Sequence, residues 1–386
     1  MMNRRDFLSA AAATTLSAWL PASARAATAG RYENLLILIE LKGGNDGLNT
    51  VIPYADPLYP SMRPRLAIPR DQVLQLDAAS GLHPALLPLM SLWDARELAV
   101  VQSVGYPAAN LSHFRSIEIW DTASRSDQYL NEGWLARAFA EAPVPSAYAA
   151  DGVVVGSNEM GPLAGAATRA LALNNPGEFM RQARLAGNEG VGRNAALSHI
   201  LKVERDVKQA AANLGNNFAL RQEFPNHALG NALRTAAQVV ASKAGVAAIK
   251  VAQNGYDTHS GQQNTQQRLL RELAEGLVAL RTALQDIGRW ESTLIMTYCE
   301  FGRRPRENQS GGTDHGTANA HLLAGGRVRG GLYGAPPALD RLDGNGNLPF
   351  AVDFRDLYAT TLDRWWGVSP SAVLNGRYQP LEFLRA

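Results

Sequence analysis

Four short polar loops, each at the edge of an apolar run, carry the side chains in this sequence that could do chemistry. Asn45 and Asp46 lie in GGNDGLN, and Asn110, Ser112 and His113 lie in YPAANLSHFRS. Asp257 and His259 lie in YDTHSGQQN, and Glu300, Arg303, Asp314 and His315 in CEFGRRPRENQSGGTDHGTANAH. Taken singly, each has a plain structural explanation. An aspartate between glycines is a common turn residue, a serine before a helix is a common cap, and Asp257 with His259 could be a hydrogen-bonded pair. Turn residues of independent origin would scatter, whereas these all fall where strands end or begin. Carboxylates gathered at one place repel one another unless protons or a cation compensate. Carboxylate oxygen with imidazole nitrogen suits zinc or manganese, while calcium prefers an all-oxygen set. Such an ion polarises a phosphoryl or sulfuryl oxygen and activates a water or a serine hydroxyl. Ser112, opening a helix, would also have backbone N–H groups to stabilise an anion. Arg115 or Arg303 offers a planar fork for anionic oxygens, unless each is spent on a structural ion pair.

The elements that must hold these loops alternate between strand and helix. NLLILIE (Asn34 to Glu40) is a continuous apolar run of the kind buried on both faces, and ELAVVQSVG, GVAAIKVAQNG, STLIMTYCEFG and HLLAGG (His321 to Gly326) read as four further strands. Helical periodicity is expected over Asn194 to Asn213, Leu229 to Lys243, Gln266 to Asp286 and Phe354 to Trp366. The pattern predicts an α/β fold, a mainly parallel central sheet with helices on both faces. Ligands of such sheets sit beyond the carboxyl ends of the strands, where these loops lie. The polar, strand-poor segment at about 161–226 reads as a helical insertion or cap. Trp365-Trp366 reads as packing, and Arg303 to Gly312 as an exposed loop that could serve as a lid.

The bulk composition narrows the class. Of 386 residues, 46% are hydrophobic, enough for a large core. The 37 basic and 35 acidic residues leave a net charge of +2, and no basic stripe argues for nucleic acid. The single cysteine, Cys299, excludes an intramolecular disulfide and a cysteine-rich metal site. At the N-terminus, MNRRDFLSAAAATTLSAWLPASARAA pairs Arg4 and Arg5 ahead of an alanine-rich run and ends in Ala24-Arg25-Ala26. This reads as a twin-arginine leader over 1–26, recognised by the twin-arginine translocase and cleaved before Ala27. It is too weakly apolar for a membrane span. One exported, periplasmic domain over 27–386 is expected, with no repeat or linker dividing it.

Taken together, LKGGNDGLNTVIPY, LSHF, GYDTHSGQ, TYCEFGRRPREN, GTDHGTANAHLLAGGRVRGGLYG and DFRDLYATTLDRWWG resemble the domain of unknown function 1501 family over nearly the whole mature chain. That resemblance implies an alkaline phosphatase and sulfatase type of fold. By position, Asp46 is similar to the metal-binding aspartate after the first strand, and Ser112 to the nucleophile that opens a helix after the second. Asp257 and His259 resemble a later metal-binding pair. The next strand should end in Asp-His, yet here it ends in Glu300-Phe301, so a carboxylate is kept and an imidazole lost. His315 fits the final histidine, unless Asp314-His315 is itself the Asp-His pair. The implied ligands are therefore Asp46, Asp257, His259, Glu300, Asp314 and His315, around one or two divalent ions. Neither Ser112 nor Cys299 sits in the Cys/Ser-x-Pro-x-Arg frame that formylglycine formation needs.

The resulting expectation is a periplasmic metal-dependent hydrolase acting on a small or polymeric anionic ester, phosphate or sulfate, with Ser112 attacking and Arg303 holding the anion. Phe301 leaves open a binding or assembly protein that kept the fold without turnover. A glycosidase using paired carboxylates is a third possibility.

Overall fold

A computed structural model describes residues 30–173 and 220–385. The leader, the helix expected over Asn194 to Asn213 and most of the expected 161–226 insertion lie outside the described residues. Along the described chain the strands are β1 Leu35–Lys42, β2 Val51–Ile52, β3 Leu74–Gln75, β4 Gly81–Leu82, β5 Leu98–Gly105, β6 Ala150–Val155 and β7 Ala170–Leu173. They continue as β8 Val246–Asn254, β9 Thr293–Tyr298, β10 Arg303–Glu307, β11 Thr313–His315, β12 Asn319–Ala324, β13 Gly331–Tyr333 and β14 Val352–Asp353. The longer helices are α1 His113–Thr122, α2 Trp134–Glu141, α3 Ala228–Ala241, α4 Gln262–Asp286 and α5 Phe354–Thr360.

The central sheet runs in the order β13-β5-β12-β9-β1-β8-β6-β7, with β14 also pairing with β5. β1 lies at its heart, parallel to both β8 and β9. Because β1 is covered on both sides, its apolar run is continuous instead of alternating. Leu35, Ile37, Ile39 and Leu41 pack with the stripe Leu269, Leu270, Leu273, Leu277, Leu280 and Leu284 of α4 and with α3. That stripe follows the helical spacing that gives α4 one apolar face. Leu36 and Leu38 face the other layer, where Trp120, Trp134, Tyr358, Trp365 and Trp366 are buried. Trp365 and Trp366 donate their indole N–H groups to the carbonyls of Leu35 (3.2 Å) and Asn34 (2.8 Å), so the tryptophan pair is core.

The strand direction matters for the site. β12 is antiparallel to both β5 and β9, within a sheet otherwise parallel. The start of β12 therefore lies at the edge where β1, β5, β8 and β9 end. This brings Thr313–His315, which precede β12 in sequence, to the carboxyl ends of the parallel strands. Two expectations are corrected. The segment at Arg303 to Gly312 is not a free loop, since β10 and β11 form an antiparallel hairpin and Arg303 is buried. The first part of the expected helical insertion contains β7, an edge strand whose Ala-Leu alternation buries every second residue. Among the described residues no helix is long and apolar enough to cross a membrane.

Burial also creates an acid-sensitive point. His321 of β12 is fully buried against Trp120, and neither ring nitrogen has a hydrogen-bond partner among the described residues. Desolvation lowers its pKa from 6.5 to about 3. The unfolded chain therefore binds this proton first, and stability falls as pH drops through that interval. Replacing it, His321→Leu, is expected to flatten the acid limb of denaturant-midpoint measurements between pH 6.5 and 3. An unchanged limb would show that another group sets it.

Candidate metal centre

The site is built where the loops after β1 and β8 nearly touch. Gly43 and Gly44 hold φ of 118° and 77°, in the left-handed region open to glycine. A Cβ on Gly43 would strike the backbone nitrogen of Asp257. Into this junction goes the Arg303 side chain, with 0% exposure. It donates to the carbonyls of Gly43, Gly44 (2.7 Å), Tyr256 (3.0 Å) and Thr313 (2.8 Å), and to Asp257 Oδ1 at 2.7 Å. One guanidinium thus ties the β1 loop, the β8 loop and the hairpin together and fixes the carboxylate of Asp257.

Three imidazoles then surround that carboxylate. His315 Nδ1 donates to the carbonyl of Leu111 at 2.9 Å, because a carbonyl can only accept. His113 Nδ1 donates to Glu300 Oε1 at 2.8 Å, and His259 Nδ1 lies 3.4 Å from Asp314 Oδ1. Each ring therefore turns Nδ1 outward to an oxygen and Nε2 inward. The inward nitrogens lie near Asp257: His315 Nε2 at 3.3 Å and His259 Nε2 at 3.2 Å from Oδ1, and His113 Nε2 at 3.4 Å from Oδ2. His259 Nε2 and His315 Nε2 are 2.9 Å apart. Among the described residues, His113, Asp257 and His315 offer ligand atoms within 4.8 Å of one another.

The electrostatics favour a ligand set in its metal-binding protonation state. Partial burial pushes the Asp257 carboxyl up, but the hydrogen bond and charge of Arg303 oppose it, and its pKa lies below the ordinary value. Desolvation lowers His315 and outweighs its hydrogen bond to Leu111, which favours the neutral ring. Asp314 is held low first by the amide of Asn308, with His259 adding to the effect.

A family model described as Protein of unknown function (DUF1501) matches residues 58–376. The chain belongs to this family. No curated protein sequence matches this DUF1501 chain significantly. Among solved structures it is similar to Ps i-CgsB in complex with a neocarrahexaose, at 12% identity and a TM-score of 0.41, covering 90% of this chain and 73% of the other. It is also similar to the C-terminal periplasmic domain of EcEptC from Escherichia coli with zinc, at 10% identity and 0.38, covering 76% and 72%. A TAB5 alkaline phosphatase variant with magnesium bound is similar at 12% identity and 0.36, covering 78% and 94%.

Against this geometry the residues expected from the DUF1501 sequence divide. Asp257, His259 and His315 come together, and Asp314 touches the cluster through His259. Glu300 sits behind His113, its Oε1 also accepting the N–H of Gly43 at 2.9 Å, so it orients an imidazole instead of standing among the inward nitrogens. Asp46 is placed as an anchor, away from the inward nitrogens. Its buried carboxylate takes Arg63 at 2.6 and 3.0 Å and the Gln262 amide, while Oδ1 caps the turn at Gly47–Asn49. Arg303 is sealed from solvent and donates to four carbonyls and Asp257, which places it as a tie between the loops. Ser112 caps α1, is exposed, and makes no capping bond with its hydroxyl. Arg115 is largely buried, paired with Glu118 at 2.8 Å and stacked on Tyr129.

His113 is named among the polar loop residues but is absent from the ligand set that the resemblance implies. The signal for it is the missing imidazole after Glu300, where Phe301 leaves room for another of the seven histidines to stand beside the carboxylate. The Phe301 ring indeed packs against both His113 (4.9 Å between centroids) and His315 (4.5 Å), as an apolar wall behind the two rings.

The Asp46–Arg63 pair is fully buried, so truncating one partner strands the other charge. Arg63→Leu is expected to lower unfolding free energy by about 3–5 kcal/mol in urea titrations. A loss below about 1 kcal/mol would mean that water reaches the carboxylate.

Proposed function

We propose that this protein is an exported metal-dependent hydrolase of phosphate or sulfate esters, with Ser112 as nucleophile. The observation that supports it most is the outward pinning of three Nδ1 atoms, which leaves three Nε2 atoms around one carboxylate. With His315 neutral and its Nδ1 protonated, Nε2 presents a lone pair toward Asp257 Oδ1 and His259 Nε2. Electron-rich atoms gathered this closely call for a shared proton or a cation, and nitrogen with carboxylate oxygen is a zinc or manganese donor set. Outer partners such as Glu300 and Leu111 O are the kind that fix ligand histidines.

On this reading His113, Asp257 and His315 hold the ion, with His259 beside them. When bound, the ion supplies Lewis-acid polarisation of the ester oxygens and charge compensation. The chain's own residues do the rest. Ser112 Oγ gives up its proton to solvent and attacks phosphorus or sulfur, forming the Oγ–P or Oγ–S bond as the P–O or S–O bond to the alcohol breaks and the alcohol oxygen takes a proton from solvent. Water then cleaves the seryl ester and restores the hydroxyl. Backbone N–H groups at the start of α1 face the charge that develops. Arg303 acts indirectly, by holding Asp257. The alternative of a binding or assembly protein drew on Phe301, and His113 supplies an imidazole beside that position.

The test is metal analysis combined with kinetics on the purified mature chain. Ser112→Ala is expected to keep its metal and lose roughly 10³-fold or more in kcat, because the nucleophile acts as a unit with its surroundings. His315→Ala is expected to lose metal and activity together. Metal-free wild-type protein that leaves a panel of phosphate and sulfate esters intact after zinc or manganese loading would refute the proposal. The leader over 1–26 supports export through the twin-arginine translocase. Substituting Arg4→Lys and Arg5→Lys is expected to abolish periplasmic accumulation in cell fractionation, and unchanged accumulation would point to another route.

A further inference from the structure

Beside the imidazoles opens a cleft of about 390 Å³ that shares His113 and Glu300 with them. Its walls are rich in charge but compensated. Lys250 pairs with Glu40 at 2.9 Å, Lys42 with Glu159 at 2.6 Å and Arg115 with Glu118 at 2.8 Å. Asp121, half-buried in the wall, is raised to about 8, first by desolvation, against the opposing pull of Lys250. Lys250, Lys42 and Arg115 are each paired with a carboxylate, so none of them is left free to hold a second anion in the cleft.

Two features of the cleft lack a partner. Glu300 is 2% exposed, and with Oε1 spent on His113 and Gly43 its Oε2 accepts no hydrogen bond. A buried carboxylate oxygen without a donor is costly, so this position calls for a hydrogen-bond donor from a ligand. At the lip, Phe114 is 88% exposed, an unusual place for a large aromatic ring. The combination of an aromatic face at the mouth, an unpaired hydrogen-bond acceptor within and cations already paired matches a polyhydroxylated ring, with C–H faces to stack and hydroxyls to donate.

We propose that this cleft holds the alcohol half of the ester and that this alcohol is a sugar. The assignment rests on the ester-hydrolase reading for its catalytic meaning, but sugar binding itself is measurable without turnover. The experiment titrates the mature, chelator-stripped chain with methyl glycosides of neutral hexoses and pentoses, and with ethanolamine, by saturation-transfer NMR. The same titrations use Phe114→Ala, whose ring is so exposed that its loss leaves the core untouched. At least one glycoside is expected to bind saturably, and roughly tenfold more weakly to Phe114→Ala, as for loss of an aromatic anchor. No glycoside binding, equal binding to the variant, or tighter binding of ethanolamine would overturn the sugar assignment. Phosphate and sulfate esters of the bound sugar are then tested with zinc-loaded protein. Cleavage faster than that of the ethanolamine and alkyl esters supports both ideas. Glycoside binding with no cleavage of any ester supports the sugar assignment and removes the hydrolase reading.

Discussion

A single buried guanidinium organises the candidate centre. Arg303 reaches the carbonyls of Gly43, Gly44, Tyr256 and Thr313 together with Asp257 Oδ1, and is sealed from solvent. Arginine suits this work because its planar fork presents several fixed donors and stays charged when buried. Polar loops at a sheet edge have little apolar surface with which to hold one another. Here their carbonyls converge on a common cation, and the carboxylate that balances it is the one the imidazoles surround. Structural electrostatics and the chemistry of the site therefore meet at Asp257.

A second division of charge lies behind the first. Glu40 and Lys250 are buried in the layer of Trp120 and Tyr298, with Asp121 half-buried beside them, where isolated charges would be expensive. Pairing Glu40 with Lys250 balances one such charge with another, and desolvation raises the Asp121 carboxyl. His113 and Glu300 form the partition between this group and the imidazole cluster, so the cleft and the cluster share two side chains.

Much of the scaffold could be read from the sequence. The continuous apolar runs around Ile37, Val100, Ile249 and Ile295 announced strands covered on both faces, and the Leu269 to Leu284 stripe announced the long helix. The direction of β12 could not be read, because hydropathy does not record orientation, although that reversal is what brings His315 to the site. Side-chain roles were harder still. Asp46 and Arg303 have the residue types of a ligand and an anion clamp, but partners distant in the chain decide their work: Arg63 and Gln262 for one, the carbonyls of two glycines for the other. The pairing of His113 with Glu300 was equally hidden, since the two lie 187 residues apart in the chain.

The most direct measurement is anomalous diffraction from crystals of the protein grown with zinc, recorded on both sides of the zinc absorption edge. A peak is expected about 2.0–2.2 Å from an Asp257 oxygen and from Nε2 of at least two among His113, His259 and His315. A zinc-saturated crystal with its anomalous density elsewhere, and with those three rings still clustered around a bare carboxylate, would contradict the idea that these side chains gather to bind a metal.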